Sequence, residues 1–451
     1  MVPALQRACR ALTLLAVLVA APVAWANPFN NPGWGQVRPD ISNVYVFGDS
    51  LSDGGAGIAL VDAGCKDATV ASLVCGHKRN AVRFGKPFYQ GRSLSDGPVA
   101  MDVMARLLGK SLRPGYFTGL IPGVDRPGEN YAISGAHAHG TGFNVMFSLN
   151  GQIGAYERHY GKADPKALHV LFIGANDVLN AIDAQDPAKV DLALQEIQRG
   201  LDRLSDKGAR QFLVYKLMDL GDVPKYVAKP ALRQTASAYT ERFNRGIDAL
   251  TAKAGVLHRF DMQAFWNFTK QVAYGQKIDY KNACVSPISD LFAHIKKDPA
   301  VDVTIAASYL PTCPPAQREH RVFFDELHPS GYMHQLLGIA SYDFVVERLT
   351  GKCGIHAWGN DAPSDRGEPN NRRGLPGSVY RYDNPYNGQR EYLRLVNLGT
   401  DSAYWYFPIN RRDNTYWQYF GTQPPRNCGT PFPLGDQRVG RPLVVGRGCD
   451  G

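Results

Sequence analysis

Ser50, Asp325 and His328, joined by Gly135 and Asn176, are the residues of this chain whose types and placement suit one reaction. Ester hydrolysis by a serine needs a hydroxyl, a base for its proton, a carboxylate to orient that base, and donors aimed at the developing oxyanion. Ser50 is the candidate nucleophile. Asp325 and His328 stand three apart, so both side chains fall on one side of a turn or helix start, and the carboxylate can hold the imidazole tautomer while the ring faces Ser50. The backbone N–H groups of Ser50 and Gly135 and the side-chain amide of Asn176 make a three-donor oxyanion hole.

Each of these residues needs an element to hold it. Residues 43–47 form an apolar, β-prone run that stops at Gly48, so Ser50 is expected in a tight turn at the carboxyl end of a strand. Residues 128–136 repeat the pattern, with small residues at the turn that let a backbone N–H approach closely. A third apolar run, residues 167–174, stops at Gly174-Ala175-Asn176-Asp177. Further strands are expected at 211–217 and 256–260, and amphipathic helices at about 96–109, 190–204 and 231–253. Strands alternating with helices of this length imply βαβ units, a mostly parallel sheet and a three-layer α/β domain. The strand ends then share one edge of the sheet, where α/β folds place ligands.

No Gly-x-Ser-x-Gly pentapeptide occurs, which argues against the α/β-hydrolase elbow. The set instead resembles the GDSL esterase/lipase family of the SGNH hydrolase superfamily. Gly48-Asp49-Ser50-Leu51-Ser52 is similar to its nucleophile block, residues 130–136 to its glycine block, Gly174-Ala175-Asn176-Asp177 to its asparagine block and Asp325-Glu326-Leu327-His328-Pro329 to its final block. Residues 91–97 and 220–224 add to the likeness, which spans roughly residues 43–349. The resemblance implies a flavodoxin-like parallel sheet, a serine ester hydrolase acting on fatty-acyl esters, and catalytic and oxyanion roles for the five residues above. It implies no metal or organic cofactor. The extended blocks are most similar to a secreted lipolytic and phospholipid acyltransferase branch, which adds transfer of the acyl group to an alcohol. A carbohydrate esterase that deacetylates polysaccharide is the alternative with the same triad.

The 451 residues suggest two or three domains. Residues 1–26 read as a secretory signal: Arg7 and Arg10, an apolar core, then Ala24-Trp25-Ala26. An extracellular or periplasmic location follows, with no further stretch long and apolar enough to span a bilayer as a helix. The net charge of +9 comes with no dense basic run, which argues against nucleic acid as a partner. Export favours disulfides, and Cys65 with Cys75 and Cys284 with Cys313 are the pairs suggested by loop proximity, leaving Cys353, Cys428 and Cys449 in the tail.

The hydrolase domain is expected at 41–350, a Gly/Pro-rich linker at 351–376 and a small all-β accessory domain at 377–451. The accessory segment crowds Tyr380, Tyr382, Tyr392, Tyr404, Trp405 and Trp417 between turn residues, so glycan stacking stands beside an ordinary β core. Residues 53–91 read as a long loop, 27–39 as an irregular lead-in, and 273–320 as an insertion that is either a lid or a surface loop. His137 and His139 read as loop polars, His334 as packing, and Asp49 as an anchor of the nucleophile turn.

Overall fold

The computed structural model describes residues 38–119, 121, 123–275, 279–288, 295–296, 298, 300–318 and 321–350, and the backbone of short strands at 34–36, 355–357, 379–383, 390–397 and 404–409. The signal-peptide reading, Cys353, Cys428, Cys449 and the tail aromatic side chains lie outside the described residues.

In chain order the elements are β1 (Trp34–Gln36), β2 (Val44–Gly48), α1 (Ala56–Lys66), α2 (Ala71–Cys75), β3 (Ala81–Phe84), α3 (Ala100–Leu107), β4 (Tyr116–Phe117), β5 (Asp125–Arg126), α4 (Leu149–Tyr160) and β6 (Leu168–Phe172). Then come α5 (Ala175–Ala184), α6 (Ala188–Asp206), β7 (Gln211–Tyr215), α7 (Pro224–Val227), α8 (Pro230–Ala249), β8 (Val256–Phe260), α9 (Met262–Gly275) and β9 (Asp302–Ile305). The last are α10 (Pro315–Arg318), α11 (Gly331–Thr350), β10 (Ile355–Ala357), β11 (Val379–Asp383), β12 (Arg390–Asn397) and β13 (Tyr404–Ile409).

The central sheet runs β2-β6-β7-β8, all parallel. Strands β2 and β6 are buried at every position, which is why both read as continuous apolar runs and do not alternate. Residues 129–133 extend the sheet on the free side of β2: Val46 N donates to Glu129 O, Tyr131 N to Val46 O and Ile133 N to Gly48 O. With that segment counted, the order is the 2-1-3-4-5 of flavodoxin-like folds, and the order reverses between β2 and β6. Even His169, in the middle of β6, is buried; desolvation pushes its imidazole down to about 4, and it meets the Tyr156 hydroxyl at 3.2 Å.

Helices sort into two packed groups. A Cβ added at Gly338 of α11 would strike Val103 of α3 at 2.4 Å, and one at Gly200 of α6 would meet Ile153 and Leu149 of α4. Right-handed crossovers require this division, because the chain moves one way from β2 to residues 129–133 and the other way from there through β6, β7 and β8. The large core therefore lies on both faces of the sheet.

Three expectations change. Residues 53–91 are not a loop but hold α1, α2 and β3; Gly57 and Gly64 on the buried face of α1 hide its apolar periodicity. The lead-in and the linker each supply a strand, β1 pairing antiparallel with β10. Within 273–320, β9 pairs in parallel with β3. Both disulfides suggested by loop proximity, Cys65–Cys75 and Cys284–Cys313, are present. Strands β11, β12 and β13 form an antiparallel sheet. Among the described residues no helix is long and apolar enough to cross a membrane.

Candidate active site

Strand β2 delivers Ser50 by ending in a turn. The carbonyl of Asp49 accepts from the N–H groups of Ser52 and Asp53, and its carboxylate Oδ1 accepts from Leu51 N at 3.0 Å. Gly48 is required here, because a Cβ would stand 2.6 Å from the Phe172 carbonyl of β6. The Gln152 side chain grips that same glycine twice, accepting from its N–H and donating to its carbonyl, each at 2.8 Å.

His328 arrives from 278 residues further along the chain. Phe324 N donates to the His328 carbonyl, closing a tight loop just before α11, and Asp325 Oδ1 accepts from the N–H groups of Leu327 at 2.7 Å and His328 at 2.6 Å. The other oxygen, Oδ2, lies 2.7 Å from His328 Nδ1. His328 Nε2 is 2.9 Å from Ser50 Oγ. Burial alone would lower the imidazole, but the Asp325 charge and hydrogen bond outweigh it and hold His328 above the ordinary histidine value. A neutral imidazole so placed can take a proton from the hydroxyl and carry positive charge while the reaction passes its transition state.

Gly135 adopts φ +80°, a conformation open to glycine, and a Cβ there would project into free space. Among the described residues the N–H groups of Ser50 and Gly135 have no internal acceptor. Asn176, in the first turn of α5, donates one amide hydrogen to Ala136 O at 2.8 Å, which leaves the second to spare. Asp177 braces the neighbouring loop by accepting from Ala138 N and His139 N, at 2.7 and 3.0 Å. A cavity of about 410 Å³ gathers Ser50, Gly135, Asn176, Asp325 and His328, and its outer wall is made by Leu179, Leu217, Met218, Val223, Met262 and Leu327.

Three residues that the sequence reading passed over hold these parts together. Asp53 is buried and takes five donors: Gly55 N and Ala56 N on Oδ1, and Gly57 N, Ser134 N and Ser134 Oγ on Oδ2, all between 2.7 and 3.0 Å. One carboxylate thus caps α1 and fixes the residue before Gly135. Asn130 donates to Ser52 O at 2.7 Å and accepts from Ala132 N, tying the glycine segment to the Ser50 turn. Gln152 is the third. An Asp ahead of Gly-Gly at a helix start is the one available sequence signal for Asp53.

Other candidates separate cleanly. His334 is buried, accepts from Ala100 N at 3.2 Å on Nδ1 and is pushed down to about 3 by burial, so it packs as a neutral ring. His139 faces Glu196 at 3.5 Å, whereas His137 lines the Ser50 cavity. In residues 91–97, Asp96 accepts from Gly331 N at 2.6 Å, anchoring α11 behind His328. After β7, Lys225 N donates to Glu326 O and supports the Asp325 loop from the other side.

Residues 44–340 match the GDSL-like lipase/acylhydrolase family. A phosphatidylcholine-sterol acyltransferase of Aeromonas hydrophila is 23% identical over 339 residues, which cover 68% of this chain and 91% of that protein. Two GDSL esterases/lipases of Arabidopsis thaliana are 27% identical over 248 residues (47% of this chain, 61% of the relative) and 25% identical over 346 residues (67% and 87%). The match covers the whole central sheet and each of the five residues gathered around the cavity. The chain therefore belongs to the GDSL-like lipase/acylhydrolase family and is a carboxylic ester hydrolase of lipolytic type.

Proposed function

We propose that this chain is an exported serine ester hydrolase of long fatty-acyl esters, phospholipids and lysophospholipids among them, with Ser50 as nucleophile. The observation that carries this reading is the unbroken hydrogen-bond chain Ser50 Oγ–His328–Asp325 opening on a cavity with apolar walls. His328 Nε2 takes the Ser50 proton as Oγ bonds to the ester carbon. The Ser50 and Gly135 amides and the Asn176 side chain receive the oxyanion. Collapse breaks the ester C–O bond, and His328 returns its proton to the departing alcohol. Water then repeats the sequence on the acyl-enzyme and releases the fatty acid.

An alcohol in place of that water makes the same intermediate an acyl donor, so transferase activity belongs to the proposal. The name of the Aeromonas relative, which joins a phosphatidylcholine donor to a sterol acceptor, supports it. Residues 1–26 serve in this reading as the export signal, residues 41–350 as the catalytic domain, and 377–451 as an accessory unit beyond a linker within 351–376.

Fatty-acid release from a long-chain lysophospholipid, with Ser50→Ala as the paired control, tests the reading. Release is expected from the wild type, with a fall of about a million-fold in kcat for the variant. Equal release by both proteins rejects Ser50 as nucleophile. Failure of the wild type on the lipid, with retained cleavage of a short ester, rejects the lipid assignment.

A further inference from the structure

A second cavity, of about 320 Å³, adjoins the one that holds Ser50. The two share Leu94, Ser134, Gly135 and His137, but Ser50, Asp325 and His328 border only the first. The second lies between α1 and α2 on one side and the β3–β9 pair on the other, with Ile58, Val61, Val74, Phe84, Ile295 and Ile305 in its walls. Among the described residues it has no carboxylate, and Lys296 is its one full charge. Leu73, also in its lining, keeps 54% of its surface exposed and so marks an apolar rim. Walls of this kind make dispersion contacts with hydrocarbon of matching section that they cannot make with water.

The chemistry at Ser50 decides which half of an ester points there. His328 must return its proton to the departing alcohol, so the alcohol half lies on the imidazole side of the first cavity. The acyl carbon stays on Ser50 with its oxygen toward Gly135 and Asn176, and its chain must leave on the side away from His328. The residues common to both cavities, Leu94, Ser134, Gly135 and His137, give it a way into the second. Gly135 has no Cβ to obstruct it, and a Cβ there would point into the open space.

We propose that the cavity beneath α1 and α2 binds the hydrocarbon chain of the acyl group carried on Ser50, a long saturated or monounsaturated fatty chain, and so sets acyl-length preference. The inference rests on the serine esterase reading above and adds to it the path of each half of the substrate. Each methylene moved from water into such walls strengthens binding roughly fourfold, so preference for long over short chains follows from the lining.

The test uses the full chain and compares p-nitrophenyl esters of butanoate and hexadecanoate. Val61→Trp and Val74→Trp fill the cavity, and Leu73→Glu charges its exposed rim without disturbing a buried site. Each is expected to lower kcat/KM for the hexadecanoyl ester at least tenfold while the butanoyl ester stays within about twofold, and to weaken inhibition of butanoyl hydrolysis by free hexadecanoate in parallel. Leu179→Trp, on the other wall, is expected to leave that ratio unchanged and to slow lysophosphatidylcholine against the p-nitrophenyl ester of the same acyl chain. An unchanged length ratio in all three cavity variants, with Ser50-dependent butanoyl activity intact, overturns the cavity assignment alone. A ratio that moves only in Leu179→Trp overturns it as well, because the chain then lies within the first cavity. Wild-type rates in Ser50→Ala would overturn the esterase reading itself.

Discussion

Around Ser50 the parts are fixed by polar side chains working at short range: Asp53 with its five donors, Asn130 on Ser52, and Gln152 with both arms on Gly48. Under α1 and α2 the structure is held from outside. Cys65–Cys75 joins the two helices, and the buried Arg79 guanidinium donates to the carbonyls of Cys75, Ile295, Asp298 and Ala300, clamping the last three residues to the end of α2. The first region is a network of short polar contacts, and the second is a frame around space. A reaction needs donors placed to within a fraction of an ångström, whereas a hydrocarbon chain needs only width and the absence of polar groups. Two clusters of buried side chains lie behind the two regions, the large core around the sheet and a smaller one containing Cys65, Val82, Phe88, Ile305 and Phe324, and Leu60 and Ile133 of the large core reach the second cavity as well.

Variants in the two regions should therefore fail in different currencies. The largest effect is expected from Asp325→Asn, which keeps the shape of the loop but presents the wrong tautomer to Ser50. It should lower kcat about 10⁴-fold. Because the Asp325 charge is what holds His328 above its ordinary value, the acid limb of the pH–rate profile should also move to lower pH. A variant with near wild-type kcat and an unmoved limb would break the assignment. Asn176→Ala should cost about 10²–10³-fold in kcat with KM little changed, equally for butanoyl and hexadecanoyl esters. A loss confined to the long ester would mean that Asn176 serves the chain and not the oxyanion. The smallest effect on rate is expected from replacing Cys65 and Cys75 together by alanine. Opening a link of sequence separation 10 should lower stability by about 2–3 kcal/mol, seen in the unfolding midpoint, and reduce the long-to-short ratio severalfold while butanoyl turnover holds. Equal loss on both esters would erase the division between the regions.

The same division explains what could be read from the chain. Strand ends were legible because apolar runs stop abruptly at Gly48, Gly174 and the 134–136 turn, and a parallel sheet brings consecutive strand ends to one edge. Local spacing sufficed for Asp325 and His328, since a three-residue loop can bring a carboxylate against a ring. Of the frame only the Cys65–Cys75 link was legible. Glycines and cysteines mask the periodicity of α1 and α2, and β3 pairs with a strand about 220 residues downstream, a register nothing in either segment announces. Asp53 went unnoticed for a related reason: two of its five donors belong to Ser134, reached only after the chain has crossed the sheet edge.

Asp49, next to Ser50, couples the working range of the proposed enzyme to its endurance. Its carboxyl is buried, with Oδ2 lacking a partner among the described residues, and desolvation pushes it up to about 7 against the pull of the Leu51 amide and His328. The folded chain thus holds this proton more tightly than the unfolded chain does. The stability it contributes is complete below its ordinary value of 3.8 and is lost as pH rises through about 7. His328 is raised as well, so its contribution fades in the same direction, from 6.5 upward. Yet the imidazole must shed that proton before it can act as a base. Alkalinity that awakens the catalyst therefore shortens its life, and unfolding midpoints followed from about pH 6 to pH 8 should descend as turnover climbs; midpoints flat across that range would show the two protons to be unlinked from folding.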